Sequence, residues 1–196
     1  AFKLKNAEGL LEAGHTVATE QLALNEYKAP SMELKNVEHM NVAQAQTVLN
    51  ESDRNYLIVT GENFRIEFNK HNGFMNMYRV NGTDMIQDGE QLTPNFWRAP
   101  TDNDYGAGLQ RRYRAWNNPE MKRESMTQRL ENNQVIVEVA YDMPSVSGKL
   151  NMTYVINNAG AVKDTQKFTA TKDAKVSNMF RFGMKMPMPG AVENIE

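Results

Sequence analysis

Apolar and polar residues alternate along most of the chain, which is the pattern of strands with one buried face. The first such run covers residues 17–24. Further runs follow one another from residue 55 onward, at 57–59, 64–68, 74–80, 135–141, 152–156, 162–170 and 179–188. Several are separated by pairs that favour tight turns, Asn72-Gly73, Asn81-Gly82 and Asp88-Gly89. Roughly eight or more strands with little helix predict an all-β sandwich.

Two stretches break this alternation. Residues 106–122 mix Gly, Arg, Tyr and Trp without a strand period, and we predict a loop-rich excursion with a short helix over 109–116. Residues 27–54 have no clear period and contain Pro30, which indicates a linker. The predicted organisation is therefore the end of one domain at 1–26, a linker at 27–54 and a sandwich at 55–196. Because isolated strands cannot bury themselves, we expect a piece of a longer protein.

Composition excludes several classes of protein. Lys and Arg number 22 against 24 Asp and Glu, so no basic excess is available to neutralise phosphates, and no nucleic-acid partner is predicted. No apolar run approaches the ~20 residues of a membrane helix, so no membrane partner is predicted either. The chain has no cysteine, which excludes disulfides, thiol nucleophiles and cysteine-based zinc sites.

Side chains that could take part in binding or catalysis are concentrated in the segment Asn95-Phe96-Trp97-Arg98-Ala99-Pro100-Thr101-Asp102-Asn103-Asp104-Tyr105-Gly106. The favoured interpretation is structural: Arg98 pairs with Asp102 or Asp104, and short polar side chains cap a turn. The alternative is a pair of carboxylates for glycoside hydrolysis, which needs them about 5–9.5 Å apart. A calcium loop is disfavoured because Tyr113 stands twelve positions along, where a bidentate Glu is required. No metal site is predicted.

Aromatic and basic side chains follow this segment. Arg111, Arg112 and Arg114 lie next to Tyr113 and Trp116, a combination suited to stacking on a sugar or a base. The alternative is a solvated basic turn whose aromatic rings return to the core. A carbohydrate-binding module that stacks sugar on Trp97, Tyr113 or Trp116 thus remains open.

The stretch from Leu92 to Gly106 closely resembles the signature of the family 2 β-galactosidases, where it belongs to the C-terminal small-chain domain. The resemblance implies a large antiparallel supersandwich similar to galactose mutarotase, of which residues 55–196 would form the N-terminal part. Residues 64–74 resemble its first hairpin. Residues 12–24 resemble the closing strands of the immunoglobulin-like domain that precedes it.

Enzymes of that family hydrolyse terminal non-reducing β-D-galactosides with retention, using two glutamates in a TIM barrel. A chain of 196 residues cannot hold that barrel as well as this sandwich, so the resemblance assigns no catalytic residue here. It does imply a mobile loop at the mouth of the active site. The candidate loop residues are Gly106, Ala107, Gly108 and Arg112, and the residues expected to form the base of the loop are Trp97, Arg98, Asp102, Asn103 and Asp104.

The resemblance also bears on cofactors and partners. It implies none for this segment, and Mg²⁺ or Na⁺ in the full-length enzyme. The expected partners are a β-galactoside, bound through the full-length enzyme, and the remaining domains of that enzyme, which would be a homo-oligomer. A bacterial cytoplasm and a periplasm both fit. The alternative function is a stand-alone carbohydrate-binding, structural or oligomerisation module.

Overall fold

The computed structural model describes residues 1–22, 24–26, 28, 32–33, 35 and 46–190. The chain divides into two compact units, Ala1–Ser31 and Met32–Glu196. In the first unit, strands β1 (Phe2–Lys3) and β2 (Thr16–Ala18) pair antiparallel, and their residues are exposed. The strand predicted at 17–24 is therefore shorter and begins one residue earlier, and position 23 within it lies outside the described residues.

The second unit begins with a five-stranded antiparallel sheet in the order β3-β4-β5-β6-β7. Its strands are β3 (Val48–Asn50), β4 (Tyr56–Thr60), β5 (Phe64–Asn69), β6 (Met75–Val80) and β7 (Thr83–Asp84). Alternation in β5 places Phe64, Ile66 and Phe68 on one buried face. The tight turns predicted after β5 and β6 are present, with positive φ at Gly73 and Gly82.

Two helices and a second sheet follow. Their elements are β8 (Thr93–Asn95), α1 (Asp102–Gly106), α2 (Leu109–Arg112), 3₁₀ turns at Arg114–Trp116 and Pro144–Val146, β9 (Lys122–Glu131), β10 (Gln134–Met143), β11 (Gly148–Ile156), β12 (Val162–Ala170) and β13 (Gly183–Lys185). Strands β9 to β12 form an antiparallel meander, and β13 pairs with β8. The short helix predicted at 109–116 is present as α2 and the 3₁₀ turn behind it. The strand predicted at 179–188 is shorter in the structure and consists of β13.

The two larger sheets enclose one hydrophobic core. The rings of Phe68 from β5 and Tyr154 from β11 meet edge to face with their centroids 5.0 Å apart. Phe74 stacks on Tyr141 of β10 at 5.4 Å, and the Tyr141 hydroxyl donates to the carbonyl of Asn72 at 2.8 Å. The prediction of an all-β antiparallel sandwich is confirmed. In the described part of the chain, no helix has the length and apolar character needed to span a bilayer.

Part of the segment predicted as a linker belongs to the sandwich. Of residues 27–54, positions 27, 29–31, 34 and 36–45 lie outside the described residues. Strand β3, however, adds to the edge of the first sheet, with Val48 opposite Thr60. A strand of three residues is too short to show a period, which is why the sequence pattern misses it. The predicted domain boundaries themselves stay predictions.

Buried asparagines in the turns of the second sheet hold the chain that leads into the sandwich. Asn157 donates to the carbonyl of Glu33 at 3.2 Å, and Asn158 donates to the carbonyl of Lys35 at 2.6 Å. The backbone N–H of Lys35 returns a hydrogen bond to Asn158 Oδ1 at 2.9 Å. Both asparagines are almost fully buried, so these amides replace the water that the backbone groups would otherwise bind.

We expect Asn157→Ala to lower the free energy of unfolding by about 1–3 kcal/mol, because buried polar groups lose their partners. Asn157 Oδ1 also accepts from the backbone N–H groups of Ala159 and Ala161, at 3.0 Å each. Urea unfolding followed by tryptophan fluorescence measures the loss. Asn118→Ala, at an exposed asparagine, is the control, and equal midpoints for the two variants would show that the turn amides do not hold the chain.

Candidate functional site

The motif segment forms a capped helical turn directly after β8. Thr101 is the N-cap of α1, and its hydroxyl accepts from the backbone N–H of Asp104 at 3.4 Å. The carboxylate of Asp104 accepts in return from the backbone N–H of Thr101 at 2.7 Å and from its hydroxyl at 3.0 Å. This reciprocal arrangement is a capping box, which fixes the start of even a very short helix.

Arg98 binds the same carboxylate from outside the turn. Its two terminal nitrogens donate to Asp104 Oδ2 at 2.6 Å and Oδ1 at 3.1 Å, a bidentate geometry of strong charge-assisted hydrogen bonds. The Asp104 side chain is only 8% exposed. The hydrogen bonds from Arg98, followed by that from the Thr101 backbone, lower the pKa of Asp104 from 3.8 to about 2. The structure thus selects Asp104, of the two carboxylates considered, as the partner of Arg98.

The lowered pKa of Asp104 links the capped turn to the acid stability of the fold. A carboxylate whose pKa is lower in the folded chain stabilises the fold fully above the unfolded pKa of 3.8, and this contribution disappears as the pH falls to about 2. Asp104→Asn removes the charge, so we expect a lower urea midpoint at pH 7 and a smaller further loss between pH 4 and pH 2. Chemical unfolding at a series of pH values measures both.

The control for that series is Asp88→Asn, which changes an exposed carboxylate in the turn before Gly89. We expect it to keep the profile of the unmodified chain. If Asp104→Asn also kept that profile, the ion pair with Arg98 would contribute nothing to the acid stability of the fold.

An aromatic cluster around Phe180 supports the arginine. The guanidinium carbon of Arg98 lies 4.7 Å from the centroid of the Phe180 ring, within the range of a cation–π contact. Trp97 and Tyr113 meet the same ring edge to face, at 4.7 Å and 5.2 Å. The turn is therefore held by the ion pair on one side and by packed rings on the other. No local pattern in the sequence connects Phe180 to this turn, so sequence reasoning missed it.

The candidate loop leaves this fixed turn at its C-terminal end. Gly106 and Ala107 are exposed, and Gly108 has a φ of +68°, a left-handed conformation that favours glycine. Arg112, at the end of α2, donates to the carbonyl of Ala107 at 2.6 Å across the loop. The structure thus brings the four candidate loop residues into one arch directly beyond the capped turn, exposed at Gly106, Ala107 and Arg112 and half-buried at Gly108.

Two further residues, Asp102 and Asn103, were expected to form the base of the loop. Asp102 and Asn103 are exposed in the first turn of α1, and the Asn103 carbonyl accepts from the N–H of Ala107 at 3.0 Å. Trp116 was considered for sugar stacking, but its side chain has 0% exposure. Its indole N–H donates to the carbonyl of Ser177 at 3.1 Å, so that candidate was wrong: the ring belongs to the core.

Two further features bear on ligand binding. Among residues 1–22, 24–26, 28, 32–33, 35 and 46–190, no three His, Cys, Asp or Glu side chains come together as metal ligands would. A cleft of about 230 Å³ lies between β8 and the segment that follows the 3₁₀ turn at Arg114–Trp116. Its lining includes Phe74, Asn95, Asn117, Asn118 and Pro119, which combine apolar surface with amides.

Known proteins resemble this chain over much of its length. The sequence model of the family described as "Beta galactosidase small chain" matches residues 60–196. A β-galactosidase of Priestia megaterium is 27% identical over the whole chain, which covers 18% of that protein. β-Galactosidases of Lactobacillus delbrueckii subsp. bulgaricus and Streptococcus thermophilus are 29% and 26% identical over 70% of the chain, which covers 14% and 13% of those proteins.

The chain therefore spans less than a fifth of the length of these relatives. The family match covers well over half of the chain, including the capped turn, the exposed arch and the four-stranded meander. The chain belongs to the β-galactosidase small-chain family.

Proposed function

We propose that the chain works as a non-catalytic part of a retaining β-galactosidase and supplies a loop, Gly106 to Arg112, at the edge of the sugar site. The observation that carries this proposal is the turn locked by Arg98, Thr101 and Asp104 directly before an exposed arch with glycine at two positions. A rigid base next to a glycine-containing segment is what a gating loop requires. The β-galactosidase relatives supply the reaction class.

The electrostatics of the turn argue against Asp104 as the proton donor of a glycosidase. A glycosidase acid must hold a proton near neutral pH, which requires a raised pKa. The pKa of Asp104 is instead lowered to about 2, and both of its oxygens are occupied by Arg98 and Thr101. Asp104 is thus suited to positioning the loop and unsuited to donating a proton. The catalytic carboxylates of the proposed enzyme would come from another part of it.

The loop itself is suited to changing conformation. The left-handed φ at Gly108 costs a residue with a Cβ about 1–2 kcal/mol, whereas glycine adopts it freely. The Arg112 side chain donates to the carbonyl of Ala107 on the exposed side of the arch, where water or a sugar hydroxyl can replace it. The backbone N–H groups of Arg111 and Arg112 donate to the carbonyl of Gly108, so α2 moves as a unit about Gly108. We therefore place the moving part between Gly106 and Arg112 and the fixed part before it.

The test uses the complete β-galactosidase that we propose contains this chain. Gly108→Ala is expected to lower kcat/KM for a chromogenic β-galactoside by about tenfold, since a penalty of about 1.4 kcal/mol on the loop conformation is transmitted to catalysis. Gly89→Ala is the matched control, because Gly89 also has positive φ, at +78°, and open space around it. It is expected to stay within about twofold. Equal rates for both variants would overturn the loop assignment.

We propose that this segment binds no cofactor and that Mg²⁺ or Na⁺, if the complete enzyme uses either, is held elsewhere. The other domains of the same enzyme are its partners, and a homo-oligomer of the complete enzyme is part of the proposal. Metal analysis and the molar mass in solution of the complete enzyme test these points.

A second candidate function is carbohydrate binding by this chain alone, and the cleft next to β8 favours it. Phe74 and Pro119 offer apolar surface there, while Asn117 and Asn118 offer amide hydrogen bonds, the pairing that sugars use. Titration of the ¹⁵N-labelled chain with galactose separates the candidates. A saturable shift at these residues that Asn117→Ala abolishes would favour the binding module, and the absence of any shift would favour the loop-bearing domain.

A further inference from the structure

The connection between β12 and β13, residues 171–182, contains no regular helix or strand and is called the strap. It is held at two points near its end. The indole N–H of Trp116 donates to the carbonyl of Ser177 at 3.1 Å, and the backbone N–H of Arg181 donates to the carbonyl of Phe96 at 3.4 Å. The stretch between these two points is therefore short and anchored at both ends.

One aromatic ring on this stretch, that of Phe180, contacts both the base and the far end of the arch. The guanidinium carbon of Arg98, at the base, lies 4.7 Å from the ring centroid. The ring of Tyr113, directly after α2, meets it edge to face with the centroids 5.2 Å apart. The backbone N–H of Tyr113 donates to the carbonyl of Leu109 at 2.9 Å, so Tyr113 moves with α2. Phe180 thus connects the fixed part to the moving part.

The Phe180 ring is not part of the hydrophobic core. Trp97 and Tyr113 pack against the core, whereas Phe180 is half-buried and is not one of the described residues that do so. Its ring instead contacts Trp97, Tyr113 and the guanidinium of Arg98. Removing the ring would leave the core filled and would take away the contacts that join the base to the arch. Its contribution to the arch can therefore be separated from the stability of the sandwich.

The observed conformation of α2 includes an unfavourable feature. Gln110 Oε1 is buried and has no hydrogen-bond partner in the part of the chain that the structure describes. A buried acceptor without a donor disfavours a conformation relative to one in which water reaches that atom. A rotation of α2 about Gly108 that exposed this oxygen would restore its hydrogen bond. The observed conformation thus depends on other contacts of α2, and the ring pair of Tyr113 with Phe180 is one of them.

We propose that Phe180 is the positioning residue of the arch: its ring holds Tyr113 next to Arg98, and α2 turns about Gly108 only when Tyr113 leaves that ring. Edge-to-face ring pairs and cation–π contacts are each modest in strength, which suits a contact that breaks and re-forms. Phe180 acts through these two neighbours and needs no contact with the sugar. The inference rests on the proposed function only in what this movement does for catalysis.

Trypsin is a direct probe of the arch, because Arg111, Arg112 and Arg114 are exposed within it or shortly after it. Cleavage requires the arch to leave its folded conformation, so the rate measures the population of open arch when re-closing is fast. Mass spectrometry of the 196-residue chain identifies the bonds that are cut. We expect Phe180→Leu, which removes the ring but keeps an apolar side chain, to raise this rate about tenfold. Phe180→Tyr keeps the ring and is expected to stay within about twofold.

Phe182→Leu is the matched control, because Phe182 lies on the same strap, is 48% exposed and stacks on Phe96. It is expected to stay within about twofold. Cleavage after Lys149 of β11 and Lys167 of β12 reports unfolding of the whole sandwich and is expected to be unchanged. The proposal would be overturned by an unchanged rate for Phe180→Leu, by an equal rise for Phe182→Leu, or by a rise that extends to the two lysines.

The complete enzyme carrying Phe180→Leu separates this inference from the function of the loop. We expect kcat/KM for a chromogenic β-galactoside to fall about fivefold, because the arch is positioned for a smaller part of the time, and Phe180→Tyr to restore it. A rise in cleavage of the arch with kcat/KM within about twofold would support Phe180 as the positioning residue and overturn the gating function. A fall in kcat/KM without a rise in cleavage would overturn the role of Phe180 in holding the arch.

Discussion

Replacing Trp116 with alanine is expected to lower the free energy of unfolding by about 3–5 kcal/mol, the range for deleting a large buried aromatic side chain. Trp116 is fully buried between Phe96 and Phe168, whose ring centroids lie 5.3 Å and 5.1 Å away. The change also leaves the carbonyl of Ser177 without the indole N–H that now donates to it. The loss combines an unfilled cavity with a broken buried hydrogen bond.

Urea unfolding followed by circular dichroism measures this loss without depending on the fluorescence of the replaced residue. Tyr105→Ala is the control, because Tyr105 is 55% exposed and its truncation should change stability by only about 0.5 kcal/mol. A similarly small change for Trp116→Ala would contradict the core assignment of Trp116 and restore it as a candidate for sugar stacking.

Replacing Gly73 with alanine is expected to cost about 2–4 kcal/mol, from backbone strain and overpacking together. Gly73 has a φ of +81° in the turn between β5 and β6. A Cβ there would lie 2.5 Å from Val139 Cγ1 and 2.6 Å from the Tyr141 hydroxyl oxygen, both on β10. The turn is thus pressed against the opposite sheet, and the added methyl group would force the two sheets apart.

Gly82→Ala separates the two contributions to that loss. Gly82 has a similar φ of +77°, but a Cβ added there would have no neighbour within 4 Å, so only the strain of about 1–2 kcal/mol is expected. The difference between the two variants in urea unfolding gives the packing contribution. Equal losses would show that the turn at Gly73 does not contact the second sheet closely.

The strands that sequence patterns predict best are those with one buried face. In β10 the residues Val135, Val137, Val139 and Tyr141 are all buried and alternate with half-buried neighbours, so the period of two is unambiguous. The turn pairs Asn72-Gly73 and Asn81-Gly82 mark the ends of β5 and β6 because positive φ strongly restricts residue choice. These local rules were sufficient for the all-β fold.

Elements that depend on distant contacts were missed or misjudged. Strand β3 is too short for a period, and it forms because β4 offers a free edge. The side chains of Asn157 and Asn158 donate to the carbonyls of Glu33 and Lys35, more than 120 positions away in sequence. Contacts at such separation leave no local pattern for a sequence to show.

In the candidate site, too, the local contacts were predictable from the sequence and the distant ones were not. The motif itself predicted that Arg98 would pair with Asp102 or Asp104, because the spacing allows one turn to close on itself. The contact of Arg98 with Phe180 and the burial of Trp116 needed the folded chain, because residues 176–182 return to the turn from far along the sequence. The role of the arch from Gly106 to Arg112 stays a prediction.

The pH dependence of kcat in the complete enzyme carrying Asp104→Asn separates a positioning role of the capped turn from a role in proton transfer. If the locked turn positions a loop and takes no part in proton transfer, kcat falls less than about tenfold, and the profile above pH 5 keeps its shape. A loss of about a thousandfold or more in an enzyme with an intact fold, or disappearance of one limb of the profile, would show that the turn takes part in proton transfer. Asp104 would then be a catalytic carboxylate.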